Sequence, residues 1–271
     1  MVNSGYIHTF SKKEQDRLLR QGQFLEPYFY SRIDFGACRR ILEIGCGVGA
    51  QISIVARKFP DLTIDGVDLV ESQINRARTV LESLIASERV SLTIASAYEL
   101  PFPSNYYDGV CIFCVLEHID DPLAALKEAR RVLKPAGVFY CTEVFNSGLY
   151  IYPDCPTISE YWAAFNQCQI GMGGDPDIGM KLVNLASRAG FEHINFHDVS
   201  STFDRRIASK SRRIEFLDFW KSLFLSASDK LISQGKVTPE IVLKLHEEFD
   251  DLTENRDAVF SYVGKQIECY K

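Results

Sequence analysis

The 271-residue chain has no apolar run that approaches the roughly 20 residues of a membrane-spanning helix. It has no excess of positive charge either. Lys and Arg number 30 against 36 Asp and Glu, a net charge of −6, which argues against broad electrostatic binding to nucleic acid or anionic lipid. The N-terminus lacks the basic start and apolar core of a secretory leader, so a cytoplasmic location is expected. Paired cysteine motifs are missing: of eight cysteines only Cys111 and Cys114 form C-x-x-C, inside an apolar run and with no second pair. These read as reduced packing residues rather than a zinc site or a disulfide framework. No His, Cys and Asp cluster has metal-ligand spacing, so no metal is expected. Repeats and low-complexity tracts are absent, which leaves one α/β domain large enough to bury a full core.

What is present centres on Ile41-Leu42-Glu43-Ile44-Gly45-Cys46-Gly47-Val48-Gly49-Ala50. An apolar strand runs into three glycines within five positions and out into a helix over 51–59. Glycine allows the sharp turn and close ligand approach, and the helix start favours negative charge. Leu62-Thr63-Ile64-Asp65-Gly66-Val67-Asp68 reads as the second strand, with Asp68 at its end. That lies about 20 residues past the glycines, where an acid holds the ribose of an adenosine cofactor. A helix over 71–86 and strands over 89–95, 138–144 and 191–199 follow. Strands alternating with helices imply parallel pairing and a doubly wound sheet. A last strand over 258–269 reads as the antiparallel closing partner.

Around this core, Ser11-Lys12-Lys13-Glu14 is a capping box that predicts a helix over 12–30, with Leu18, Leu25, Tyr28 and Phe29 on one face. It reads as a core-packed helix or as a lid. Residues 145–172 read as irregular. Gly173-Gly174-Asp175-Pro176 predicts a helix start that runs to Gly190, and helices are expected over 209–234 and 239–252. Residues 203–213 hold five positive charges, read as a solvated helix start in preference to a grip on an anionic substrate.

The glycine spacing suits a dinucleotide fingerprint equally well. Later segments separate the two readings: the Leu100-Pro101-Phe102 loop, then Leu116-Glu117-His118, Asp121-Pro122 and Arg131-Val132-Leu133-Lys134-Pro135. With the glycine turn and Asp68, these resemble class I S-adenosylmethionine (SAM) methyltransferases over about residues 38–145, closest to the ubiquinone/menaquinone-biosynthesis-like small-molecule group. A nicotinamide-dependent oxidoreductase has no reason to carry the last two motifs.

The resemblance implies a Rossmann-like, mostly parallel seven-stranded sheet with one antiparallel strand, an N-terminal lid helix and a helical cap. Within a single domain the expected regions are 1–36 (lid), 37–145 (cofactor core), 146–175 (substrate loop) and 200–257 (cap). It implies SAM as cofactor. Glu43, Gly45, Cys46, Gly47 and Gly49 would shape the methionine pocket, Asp68 would hold ribose, and Leu69 would pack on adenine. Backbone at Phe113 and Cys114 would receive the amine, with Gln51 and Gln73 as further contacts. Ser96 stands where the family usually has an acid, so adenine would rest more on backbone at Ala97 and Tyr98. His118 is the first candidate for a general base and Glu117 the alternate. Tyr6, Tyr28, Glu143, Phe145, Tyr152 and Trp162 are candidate substrate contacts. The expected activity is methyl transfer to a small, partly apolar molecule, by a monomer or homodimer. The alternative is a SAM-binding regulator or scaffold without catalysis.

Overall fold

The computed structural model describes residues 6–271. Residues 1–5 of the expected lid region lie outside the described residues. Helix α1 (Lys12–Phe29) begins at Ser11, whose Oγ accepts from the Glu14 amide at 3.3 Å. The reciprocal half of the capping box is not made, because the Glu14 carboxylate turns to Arg17. Behind it run β1 (Arg40–Ile44), α2 (Ala50–Lys58) and β2 (Thr63–Asp68). The expected single helix over 71–86 divides at Leu81, a buried residue, into α3 (Glu71–Val80) and α4 (Glu82–Ala86). Then come β3 (Val90–Ile94), β4 (Tyr107–Phe113), α5 (Pro122–Val132) and β5 (Leu133–Val144).

Residues 145–172 correct the expectation of an irregular segment. A short strand β6 (Tyr150–Tyr152) leads to α6 (Pro156–Gly171), with Pro156 at the first helical position. Ile158, Tyr161, Trp162, Phe165, Cys168 and Gln169 recur at helical spacing and are all buried. A helix enclosed this broadly has little amphipathic contrast, so its period is easily missed. Helix α7 (Leu182–Ala189) starts later than the Pro176 signal implied, after a 3-10 turn at Ile178–Lys181, and ends at left-handed Gly190 as expected.

The chain continues through β7 (Glu192–Asp198), β8 (Ser201–Phe203), α8 (Lys210–Leu225), α9 (Ser228–Ser233) and α10 (Pro239–Glu254). The expected last strand is two strands, β9 (Val259–Tyr262) and β10 (Gly264–Tyr270). They belong to different sheets. The main sheet has the order β3-β2-β1-β4-β5-β10-β7, and β10 runs antiparallel to both neighbours. The second sheet, β6-β9-β8, lies in the cap region. Strands β1 and β4 carry near-continuous apolar runs because both faces of the sheet are covered. The strand order reverses between β1 and β4, and such a switch point opens a ligand crevice at the carboxyl ends of the strands.

Aromatic packing holds the cap. Trp220 stacks on Tyr262 at 4.1 Å and Trp162 on Phe224 at 4.2 Å. Arg213 lies over Phe203 at 4.3 Å and donates to the carbonyl oxygens of Leu252, Thr253 and Asn255, closing the end of α10. Arg205 and Arg206 pair with Asp257 and Asp204 on the exposed surface. Three of the five, Arg205, Arg206 and Lys210, are exposed and paired with acids, as the solvated reading expects, whereas Arg213 is buried. No described helix is long and apolar enough to cross a membrane.

Inside the cap the Tyr161 hydroxyl donates to the Phe224 carbonyl at 2.8 Å and meets Ser228 Oγ at 2.9 Å. Tyr161→Phe leaves both partners dry. It is expected to cost about 1–3 kcal/mol, read as a lower denaturation midpoint with an unchanged slope.

Candidate functional site

The site grows from the turn after β1. Gly45 and Gly47 have φ of +76° and +49°, backbone that side chains resist. A Cβ on Gly45 would lie 2.3 Å from Val115 Cγ2, so the turn after β1 and the turn after β4 touch there. Nothing stands within 4 Å of where a Gly47 Cβ would be, so that backbone faces open space. The Asp68 carboxylate accepts from the Gly47 amide at 2.9 Å and from the Val70 amide at 2.8 Å, tying the turn to the end of β2. Burial pushes the Asp68 carboxyl up, and these amides pull it back.

A cavity of about 490 Å³ opens above this edge. The turn supplies Gly45, Cys46 and Gly47, and α2 supplies Gln51. Asp68 and Leu69 follow β2, Gln73 comes from α3, and Ser96, Ala97 and Tyr98 follow β3. Phe113 and Cys114 close the β4 side, and Tyr6 and His118 the far end. Asp68 and Asp120 are the charged side chains of this wall, which carries no Lys or Arg among the described residues. The cavity therefore favours a cationic ligand over an anionic one.

Two of the expected cofactor residues act from behind the wall. Gly49 starts α2, and a Cβ there would strike Leu81 Cδ1 at 2.6 Å. Glu43 is 2 % exposed and has no hydrogen-bond or ion-pair partner among the described residues. Burial, then the nearby Asp68 charge, push its carboxyl up to about 8. A cationic group beside it would supply the partner that this buried carboxyl lacks. The residues present thus fit a ligand with a ribose, an ammonium and a sulfonium.

The far end is built on the 3-10 turn Leu116–His118. The fully buried Glu143 carboxylate accepts from the amides of Val115 at 2.9 Å, Leu116 at 2.8 Å and Glu117 at 3.3 Å. Burial and the Glu117 charge push its carboxyl up, against these three amides. This corrects its assignment as a substrate contact, because its oxygens are committed to the turn. Glu117 is buried beside the cavity rather than on its wall. It receives the Gln169 amide at 2.9 Å and lies 3.6 Å from His118 Nε2. His118 meets the Tyr6 ring edge-on at 4.8 Å, and burial lowers its pKa.

Four other expected substrate contacts do not border the cavity. Tyr28 packs near Phe24 on the outward part of α1. Phe145 lies against Gly148, and Tyr152 is 54 % exposed on β6. Trp162 is buried in the cap, where its Nε1 donates to the Asn146 carbonyl at 3.0 Å.

The cavity instead gains Phe10, Leu18 and Gln21 from the N-terminal segment and α1. Beside them Arg17 forms a buried bidentate pair with Glu14, at 2.6 and 2.8 Å, and donates to Gln21 at 2.6 Å. The signal for this face was a polar stripe, Glu14-Arg17-Gln21, at helical spacing. The helix is latched over α3: Gln15 donates to Ser72 O and Gln73 Oε1, both at 3.1 Å, and Asp16 pairs with Arg76 at 2.7 Å. Lys230 of α9 donates to the Tyr6 carbonyl at 2.8 Å.

Residues 42–141 match the family described as a methyltransferase domain. An uncharacterized methyltransferase of Schizosaccharomyces pombe is 32% identical over 173 residues, 60% of each chain. The similar stretch thus spans less than two thirds of that relative. An O-methyltransferase of Aspergillus nomiae is 29% identical over 205 residues, 74% of this chain and 87% of the relative. Among solved structures, a putative methyltransferase from Bacillus halodurans superposes with a TM-score of 0.56 at 16% identity, covering 93% of this chain and 98% of that one.

The Glu43 carboxyl gives a pH signature with a definite sign. Its folded pKa of about 8 lies above the unfolded value, so its stabilisation is complete in acid and fades as pH rises toward 8. Glu43→Gln removes that loss. The cofactor-free variant should gain stability over the native protein as pH rises from 5 to 8, by on the order of 1.4 kcal/mol per unit at most. Denaturant midpoints across that range would show a constant gap if Glu43 were ionised throughout.

Proposed function

We propose that the protein, whose residues 42–141 match a methyltransferase-domain family and whose fold resembles a solved putative methyltransferase, uses SAM to methylate a small, partly apolar molecule by in-line displacement. The observation that carries this reading is the one cavity that joins Asp68 and the glycine turn to the Tyr6–His118 rings. Asp68 would hold the ribose hydroxyls. Glu43 and the Gly45–Gly49 backbone would receive the methionine end, with Gln51, Gln73 and the Phe113–Cys114 backbone around it. Leu69, Ser96, Ala97 and Tyr98 would enclose adenine. When bound, the cofactor supplies a methyl sulfonium whose leaving group is a neutral thioether and needs no proton.

The work left to the chain is positioning, worth up to roughly 7–11 kcal/mol in favourable cases. Helix α1 and the Tyr6–Phe10 stack, at 4.9 Å, roof the cavity and exclude water. His118, with Glu117 behind it, forms the polar end against which an acceptor hydroxyl or amine would lodge. The O-methyltransferase relative supports a hydroxyl acceptor.

Calorimetry tests the reading directly. Both SAM and S-adenosylhomocysteine should bind with measurable heat, and a silent titration with both compounds would sink it. Because the Glu43 carboxyl is pushed up to about 8, it holds a proton at pH 7 until the ligand's ammonium arrives. Binding at pH 7 should therefore release protons, seen as a heat that varies with the buffer's ionisation enthalpy, and Glu43→Gln should lose that dependence. Asp68→Ala should weaken binding by about 1.5–3 kcal/mol, on the order of ten- to a hundred-fold.

A further inference from the structure

A methionine end carries two charges. Glu43 suits the ammonium, but the carboxylate meets a cavity wall that holds Asp68 and Asp120 and, among the described residues, no Lys or Arg. A carboxylate drawn from water into such a place needs hydrogen-bond donors on neutral groups.

Two sources of such donors meet beside the glycine turn. One is the start of α2. Its N-cap is Gly49, which has no side chain to cap the helix, and the first amide of α2 to reach a carbonyl is that of Ser53, on Gly49 at 3.1 Å. The amides of Ala50, Gln51 and Ile52 before it have no acceptor among the described residues. Such a helix start favours an anion. Val48 and Gln51 line the cavity there.

The other is Gln21 of α1, which is 9 % exposed and also lines the cavity. Its neighbour Gly22 packs so closely on the start of α2 that a Cβ there would lie 3.0 Å from Ala50 Cβ. Gln21 therefore stands at the glycine-turn end. Its Oε1 accepts from Arg17 Nη1 at 2.6 Å. A guanidinium can only donate, so the amide oxygen faces Arg17 and the amide nitrogen faces away. That Nε2 has no acceptor among the described residues, yet it is not one of the sealed polar atoms that lack a partner. The open space that Gln21 borders is the cavity. Arg17 itself is committed, with Nε and Nη2 on Glu14 at 2.8 and 2.6 Å. Its pull on Oε1 polarises the amide and strengthens the N–H as a donor.

We propose that Gln21 Nε2 and the first amides of α2 form the subsite for the α-carboxylate of the cofactor. The inference rests on the SAM reading and brings a residue of the roof into it. Gln21 reads the group that separates an adenosyl amino acid from its decarboxylated relatives, and the wall acids repel an anion that fails to reach these donors. Because Gln21 belongs to α1, the carboxylate also ties the roof to the glycine turn.

Calorimetry on the full chain, with S-adenosylhomocysteine and with its decarboxylated form, decides it. The native protein should favour the carboxylate-bearing compound by at least about ten-fold. Gln21→Glu keeps the size and the Arg17 contact but turns the donor into a charged acceptor, and should lower that ratio at least about ten-fold. Gln21→Leu should move it in the same direction. Arg17→Lys keeps a cation for Glu14 without a second arm for Gln21, and should lower the ratio by a smaller factor. Partial unfolding weakens both compounds alike and leaves the ratio unmoved. A ratio that stays at its native value in the Gln21 variants, or a native protein that binds both compounds equally, overturns the proposal and leaves the cofactor reading intact. Failure of both compounds to bind the native protein removes the two together.

Discussion

One buried carboxylate decides where the far end of the site stands. Glu143, at the end of β5, gathers the amides of Val115, Leu116 and Glu117 and so clamps the turn that follows β4. Without it, the amides of Val115, Leu116 and Glu117 would lack these partners, each of the buried ones costing about 1–3 kcal/mol. The clamp places Val115 where a Cβ on Gly45 would collide, and it sets His118 facing Tyr6. Two turns from different strands are thereby held in register across the switch point of the sheet. The glycine-turn end and the His118 end of the cavity share this one support.

The roof depends on a different kind of bond. Residues 6–10 and α1 touch three bodies at once: α3 through Gln15 and Asp16, the β4 turn through Tyr6, and the cap through His8 and Lys230. Most of these contacts are single hydrogen bonds or ring edges, each worth around 1 kcal/mol. A segment held by several small contacts can close a site firmly and still release it.

The core was legible in the sequence because its signals are local. Strand, glycine turn, helix and Asp68 are fixed by backbone sterics and by distances along the chain, and the sheet follows from alternation alone. The far end was less legible because its partners are remote in sequence. Glu143 read as a substrate contact since nothing local says that its carboxylate is taken by amides 26–28 residues earlier. On α1 the apolar stripe masks a polar one, and that face bears the Glu14–Arg17 pair and Gln21. In α6 the period was present, but the aromatics suggested a ligand wall when they were the cap's own core.

The two buried acids at the strand ends illustrate how one chemistry serves opposite purposes. Glu143 and Glu43 are both buried, and burial raises both. Glu143 has three donors and stiffens the protein. Glu43 has none among the described residues, so the fold carries its desolvation as an unrelieved cost. A core that needed only stability would fill that position with an apolar side chain. Keeping a lone acid beneath an anion-lined cavity is rational if a cation completes it. The stability forgone in the empty protein then returns as affinity and as selectivity for a positively charged ligand over its neutral look-alikes.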